Sequence, residues 1–157
     1  MKLSIYSEEL FSSSIHAYVL TNTTNSQHPK EVIETSKKDR ERFPVAISDD
    51  LGDLVGFLCL HVGTGPEVYG FSGEEYVMIR SMSIDDRYQN KGYGAKALNN
   101  IFEFVRQEIS EKITCIVLAV NEKNGMAQRS YEKAGFKRKA EMVEGRLGNL
   151  IIMEKYL

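Results

Sequence analysis

The sequence predicts an α/β (α+β) domain built on one mixed, mostly antiparallel sheet of six to seven strands, flanked by about four helices. Three observations predict it. Two pairs of apolar, strand-like runs, within 43–60 and 136–157, are each joined by a turn-forming segment, and such hairpins pair antiparallel. Between them a strand–helix–strand unit over Tyr76–Val120 demands a crossover, hence a parallel or crossover pair in the middle of the sheet. Finally, 157 residues lie near the commonest size of one domain, so a single domain is expected over 1–157.

Each element follows from local chemistry. Lys2–Tyr6 reads as a first edge strand. Ser7, followed by Glu8 and Glu9 and then Leu10, Phe11, Ile15, Tyr18 and Val19, predicts a capped amphipathic helix. Thr21–Gln27 is nearly all Thr, Asn and Ser and reads as a loop. A polar helical stretch is expected from Pro29 to about Arg42, with Val32 and Ile33 as its apolar face. Phe43–Ile47 and Leu54–Leu60 flank the turn residues Asp49–Asp53, and the Gly- and acid-rich run Gly63–Glu75 reads as a loop. Tyr76–Ile84 is the next strand. Leu98, Ile101, Phe102, Val105 and Ile109 recur at helical spacing, and Ile113–Val120 is unbroken and β-branched, as a strand buried on both faces requires. Asn124–Ala134 is a short helix stopped by Gly135, and Phe136–Val143 pairs with Leu150–Leu157 across Glu144–Asn149.

Composition excludes several function classes. Twenty basic against 22 acidic side chains give a net charge of −2, which argues against a nucleic-acid binder. The apolar runs reach about eight residues, too short to span a membrane, and Glu8 and Glu9 interrupt any leader-like start, so a cytoplasmic protein with no membrane partner is expected. Cys59 and Cys115 sit in apolar runs and read as small buried hydrophobes. His16, His28 and His61 lack metal-ligand spacing, so no metal is expected.

The segment that carries chemistry is Gln89-Asn90-Lys91-Gly92-Tyr93-Gly94-Ala95, where a strand passes through a short loop into a helix. Glycines let a backbone approach a ligand, and the N–H groups at a helix start favour phosphate. An ordinary strand–helix turn with two convenient glycines is the plain alternative. Gly92–Ala97 also fits a dinucleotide fingerprint, but seven mostly polar residues separate Ile84 from Gly92, where that fingerprint needs a tight turn. No acid follows the next strand, which ends Val120-Asn121, so the dinucleotide reading is rejected.

Gln89-x-x-Gly92-x-Gly94-Ala95 resembles the acetyl-CoA pyrophosphate loop of the GNAT-type N-acetyltransferases. A second run, Asn124-x-x-Ala127-x-x-x-Tyr131-Glu132-Lys133-x-Gly135-Phe136, is similar to another signature of that superfamily. The resemblance covers Phe43–Leu157, making 43–157 the cofactor-binding core and 1–42 the segment that varies with substrate. It implies a GNAT-like fold, acetyl-CoA as cosubstrate and a small-molecule amine as acceptor, and it looks most like bacterial enzymes acting on small amines, polyamines included. It also allows a homodimer.

Carried over residue by residue, the resemblance implies that Gln89, Asn90, Lys91, Gly92, Tyr93, Gly94 and Ala95 wrap the pyrophosphate, chiefly through backbone N–H groups. The backbone of Met82, Ser83 and Ile84 would pair with the pantetheine arm, one N–H polarising the thioester carbonyl. Asn124 would bond the cofactor near its pantetheine and Tyr131 would protonate the departing thiolate. Read without the motif, Asn124 is a helix N-cap and Tyr131 a half-buried core ring. The sequence departs from the pattern at Ser130, where an apolar residue is usual, and at Met78 and Arg80, where some members place a general base. Glu75, with Glu74, is the candidate base, and Glu67, Glu74 and Glu75 would attract a cationic amine. A GNAT-like binding module without turnover and a protein N-acetyltransferase are the competing readings.

Overall fold

In the computed structural model, which describes residues 1–157, seven strands form one sheet in the order β1-β2-β3-β4-β5-β7-β6. These are β1 (Lys2–Ile5), β2 (Arg42–Ser48), β3 (Leu54–His61), β4 (Tyr76–Ile84), β5 (Cys115–Asn121), β6 (Lys137–Gly145) and β7 (Gly148–Tyr156). The helices are α1 (Glu8–His16), α2 (Pro29–Lys37), α3 (Thr64–Glu67), α4 (Tyr93–Glu108) and α5 (Gly125–Lys133). Every neighbouring pair is antiparallel except β4 with β5, the two ends of the strand–helix–strand unit.

Boundaries differ from expectation where local bonding outranks composition. The Gly63–Glu75 loop contains one helical turn, α3, so the helices number five, not four. Ser7 stands at the start of α1 but its side chain makes no capping bond, whereas His28 caps α2 by accepting from the Lys30 N–H at 3.2 Å. The last hairpin closes tightly on Arg146 and Leu147, between paired Gly145 and Gly148. On α4 the buried face includes Phe104, while Phe102 is only half-buried.

Alternation along the strands separates two cores. One face of the sheet, with Val45, Ile47, Leu58, Leu60, Val77, Ile79, Ile116 and Leu118, packs against Leu98, Ile101 and Val105 of α4, with Tyr131 of α5 at its margin. The opposite face, with Ala46, Phe57 and Cys59, packs under Phe11 and Ile15 of α1 and Val32 and Ile33 of α2. Farther along that face Met78, Cys115, Val117 and Ile152 close over Phe71. Both cysteines are free and buried within these layers.

One irregularity positions the site. Leu60 lies opposite Ile79 and Cys59 opposite Ser81, which leaves Arg80 as an unpaired extra residue, a β-bulge. The β4–β5 pairing ends just before it, at Ile79–Leu118, while β5 continues alongside β7 to Asn121. Beyond the bulge the two central strands therefore part.

Candidate active site

The parting of β4 and β5 leaves the edge of residues 80–84 without a strand partner on that side. The Asp85 N–H bonds to the Val55 carbonyl at 3.0 Å, and alternation then turns Ser83 toward β3 and turns the N–H groups of Met82 and Ile84 into the gap. The Met82 carbonyl also faces the gap, where it accepts from Ser26 Oγ at 2.9 Å. This is a stretch of strand backbone in the middle of a sheet with no strand partner on that side, an edge to which a bound amide chain can add.

Next to it lies the start of α4. Asn90 and Gly92 both adopt left-handed backbone, with φ of 61° and 81°. That double turn brings the chain from the end of β4 into α4 with its first N–H groups facing outward. The Lys96 N–H makes the first helical bond, to the Gly92 carbonyl, so the N–H groups of Tyr93, Gly94 and Ala95 have no acceptor in the helix. No side chain caps this end and its first turn holds no acid, whereas α1 begins with Glu8 and Glu9 and α2 carries Glu31. The result is an uncompensated positive pole of a 16-residue helix. At Gly94 an added Cβ would come only to 3.8 Å from Ile84 and 3.9 Å from Met82. The glycine thus leaves approach space above the same two residues whose N–H groups line the gap. The Gln89 side chain braces the loop from behind, donating to the Ile84 carbonyl at 3.2 Å and to Asp86 at 3.0 Å.

These features share one cleft of about 560 Å³, within the range of small-molecule sites. Its walls contain Met82, Ser83, Ile84, Gln89, Asn90, Gly92, Tyr93, Gly94 and Ala95 from β4 and the loop, and Asn124 and Tyr131 from α5. Lys91 stands outside the walls, its ammonium 5.2 Å from the centre of the Tyr88 ring. A second cavity of about 290 Å³ meets the first at Asn25, Ser26, Met82, Asn124, Ala127 and Tyr131. Tyr131 therefore sits at the junction. Its ring packs edge-on to Phe136 at 5.8 Å, and burial pushes its phenol above the ordinary value, so it is a protonated donor at neutral pH. Asn124 caps α5, its Oδ1 accepting from the Ala127 N–H at 3.3 Å, which leaves its amide NH2 for the cleft.

Several residues that hold the site carry no sequence signal. Asp85 is fully buried and accepts from the Arg87 guanidinium at 2.9 and 2.7 Å, the Arg87 N–H at 3.0 Å and the Val19 N–H at 3.1 Å. Burial alone would raise its carboxyl, but the Arg87 and backbone bonds outweigh it and hold the group below the usual carboxylate range. The Tyr18 hydroxyl meets Ser83 Oγ at 2.9 Å, and Ser26 meets Ser81 at 3.1 Å, so the segment between α1 and α2 covers the end of β4. Gln128 is buried and its amide donates to the carbonyls of Asn121 and Glu122 at 3.0 and 2.8 Å, fixing α5 against the end of β5.

Glu75 does not join this group. It precedes β4 at the end away from the cleft, and six strand residues separate it from Met82, roughly 23 Å of extended chain. Glu74 is there too, paired with Lys112 at 2.7 Å, and neither these two nor Glu67 lines either cavity. The fold also gathers Asp39, Glu41 and His61, with candidate ligand atoms within 4.8 Å of one another. Asp39 already accepts from Arg42 Nε at 2.9 Å and Glu41 from the Thr64 N–H at 3.0 Å, and burial lowers the His61 pKa. The trio is a network tying β2 and β3 to α3, away from the cleft. No helix is long and apolar enough to cross a membrane.

Comparison with known proteins agrees with this geometry. The model of the acetyltransferase (GNAT) family matches residues 8–136. An uncharacterized N-acetyltransferase, YbbJ, of Bacillus subtilis (strain 168) is 31% identical over 100% of this chain and 98% of its own length. The spermine/spermidine N(1)-acetyltransferase of the same organism is 33% identical over 72% of this chain and 71% of its own. Among solved structures, aminoglycoside acetyltransferase AAC(6')-Ib in complex with coenzyme A superposes with a TM-score of 0.70 at 18% identity, covering 99% of this chain and 94% of that one. A variant of the spermidine N-acetyltransferase SpeG from Vibrio cholerae gives 0.71 at 18% identity, covering 99% and 95%. These likenesses establish the fold, and the family match establishes membership: the chain belongs to the GNAT acetyltransferase family and is an N-acetyltransferase.

Proposed function

We propose that this member of the GNAT family moves an acetyl group from acetyl-CoA to the primary amine of a small molecule by direct attack in a ternary complex. The observation that carries the reading is the meeting of three features in one cleft: the uncapped start of α4, the unpaired N–H groups of Met82 and Ile84, and the Tyr131 hydroxyl.

The residues fit acetyl-CoA. The free N–H groups of Tyr93, Gly94 and Ala95 suit a pyrophosphate, and the absence of acid from the first turn of α4 leaves no competing charge. The Met82–Ile84 edge can bond an amide-containing arm as a neighbouring strand would, with the Asn124 amide on the opposite wall. When bound, acetyl-CoA supplies an acetyl thioester at the junction of the two cavities.

The chain's own residues then have distinct tasks. The cavity walls hold the amine against the thioester carbon, converting a bimolecular encounter into an oriented one. A free alkylammonium has a pKa of roughly 10.4, so it must lose a proton before attack. Neither cavity is lined by an acid or a histidine, so the proton passes to water. The N–H groups of Met82 and Ile84 face the gap, where one can stabilise the oxyanion as the C–N bond forms. Tyr131 donates its proton to the sulfur as the C–S bond breaks, and burial keeps that proton in place until then. Glu75 has no part in this sequence of events. The free, buried thiols Cys59 and Cys115 suit a reducing cytoplasm.

The test is release of free CoA thiol from acetyl-CoA with a mixed panel of primary amines, alongside thermal melts with CoA and with NAD. Thiol release dependent on an amine, and a melting temperature raised by CoA and not by NAD, are expected. A larger shift with NAD would restore the dinucleotide reading, and CoA binding without any turnover would favour a binding module.

A further inference from the structure

We infer that the acceptor carries an oxyanion near its amine and that Arg80 and Arg146 bind that anion. The inference rests on the acetyl-transfer reading for where the acceptor lies. Its charge preference is drawn from the second cavity alone.

That cavity, of about 290 Å³, is lined by Arg80 and Arg146 and by no aspartate or glutamate. Its other polar side chains, among them Asn25, Ser26, Ser81 and Asn121, are neutral. The cofactor cleft that joins it is acid-free as well. In a chain with 22 acidic residues, the whole of the reacting space has been left without a carboxylate. A polycation entering there would meet two like charges and no counter-charge.

The two arginines are placed by separate features of the fold. Arg80 is the bulged residue of β4, and bulges re-aim the side chain they carry. Arg146 stands in the two-residue turn between β6 and β7, and the turn is held over the cavity by the Asn121 amide donating to the Leu147 carbonyl at 3.0 Å. Neither guanidinium is engaged elsewhere in an ion pair. Arg42, Arg87 and Arg138 each meet a carboxylate within 2.9 Å, whereas Arg80 reaches only the Met78 sulfur at 4.0 Å and Arg146 has no side-chain partner. Both arginines are solvent-exposed and outside any ion pair, so their guanidinium forks are free to meet the planar geometry of carboxylate or the oxygens of phosphate at the cavity they line. Ile79, Leu147 and Leu150 are among its apolar lining, against which a short aliphatic spacer between anion and amine can lie.

The acids expected to draw in a cationic amine do not oppose this. Glu67, Glu74 and Glu75 lie outside both cavities, and Glu74 is neutralised by Lys112. Although a relative of this chain is a spermine/spermidine N(1)-acetyltransferase, the lining here has the opposite sign from what a polyamine needs.

The experiment uses matched acceptors that differ only in the anion: lysine against cadaverine for carboxylate, and phosphoethanolamine against ethanolamine for phosphate. Steady-state thiol release gives kcat/KM for each, and calorimetry gives each acceptor's affinity for protein saturated with CoA. At least one anionic partner should exceed its uncharged or cationic match by tenfold or more, and which pair does so separates carboxylate from phosphate. Arg80→Ala and Arg146→Ala should each reduce that ratio to within about threefold of unity, chiefly through KM, and Arg80→Lys should restore part of it. Equal or better use of cadaverine and ethanolamine, or a preference that survives both substitutions, overturns the inference while acetyl transfer stands. If CoA itself fails to bind, the acetyl-transfer reading falls, and the calorimetric preference of the free protein for the anionic amines still decides this one.

Discussion

The Tyr18 hydroxyl lies 2.9 Å from Ser83 Oγ, joining the segment after α1 to the strand whose edge borders the larger cleft. Both side chains are buried. The bond belongs to a row: Val19 and Thr21 bond to Asp85 and Asp86, and Ser26 bonds to Ser81 and Met82. The N-terminal segment thus forms one wall of the cleft and is fixed to the end of β4 by these polar contacts.

Tyr18→Phe should therefore destabilise the fold by about 1–2 kcal/mol, because it leaves the Ser83 hydroxyl buried without its partner. The ring contact with His28, 5.7 Å between centroids, is kept. Urea unfolding at neutral pH measures the difference; a midpoint equal to that of the parent protein would mean that the two hydroxyls contribute no net stability.

At the start of α4, Gly94→Asp should abolish CoA binding and leave the domain folded. A Cβ there comes only to 3.8 Å from the Ile84 side chain and 3.9 Å from that of Met82, an ordinary contact, but the aspartate sets a negative charge where phosphate would lie. Gly94→Ala should weaken CoA only several-fold. Calorimetry with CoA distinguishes the two, and an aspartate variant binding within a few-fold of the parent would move the cofactor site elsewhere.

Tyr131→Phe removes the proposed proton donor and keeps the ring against Phe136. The loss of a general acid costs about 10² to 10⁴ in rate, and here it should appear in kcat with CoA affinity nearly unchanged. Retention of more than about a third of the parent kcat would mean that solvent protonates the thiolate and that the ring only packs.

Asp85 makes stability depend on acid. Its folded pKa lies below the ordinary 3.8, so its contribution is complete above that value and is lost as pH falls through the lower, folded one. Asp85→Asn should cost about 1–3 kcal/mol at pH 7, because it removes the charge paired with Arg87 and one of the two oxygens that accept from Arg87 and Val19. It should also flatten the decline of melting temperature below about pH 4. Melts of both proteins across pH 2.5–7 (a span of roughly the carboxylate range) test this, and parallel acid limbs would assign the decline to other carboxylates.

Much of this was legible along the chain because it depends on short-range pattern. The β-branched run ending in Val120 announces a central strand, the Leu98–Ile101–Val105 spacing announces α4, and Gly92 and Gly94 announce the turn between a strand and that helix. Tyr131 and Asn124 were readable as a pair through their motif, and the fold brings both to the wall that faces that turn.

What tertiary structure alone decided depends on registers and on contacts between distant segments. Glu75 and Met82 are near in sequence, yet an extended strand sets them at opposite ends, so a candidate base becomes a remote loop acid. Asp85 looks like one more loop carboxylate until Val19 and Arg87 close over it. Arg80 reads along the chain only as a departure from the family pattern, because a bulge is a property of two paired strands. Only the register of β3 against β4 leaves it unpaired, and only the turn of the last hairpin brings Arg146 to the same cavity. Periodicity records which face of an element is buried. It does not record which charged residues from separate elements end up sharing a cavity, because that depends on how the strands part and where each turn comes to rest.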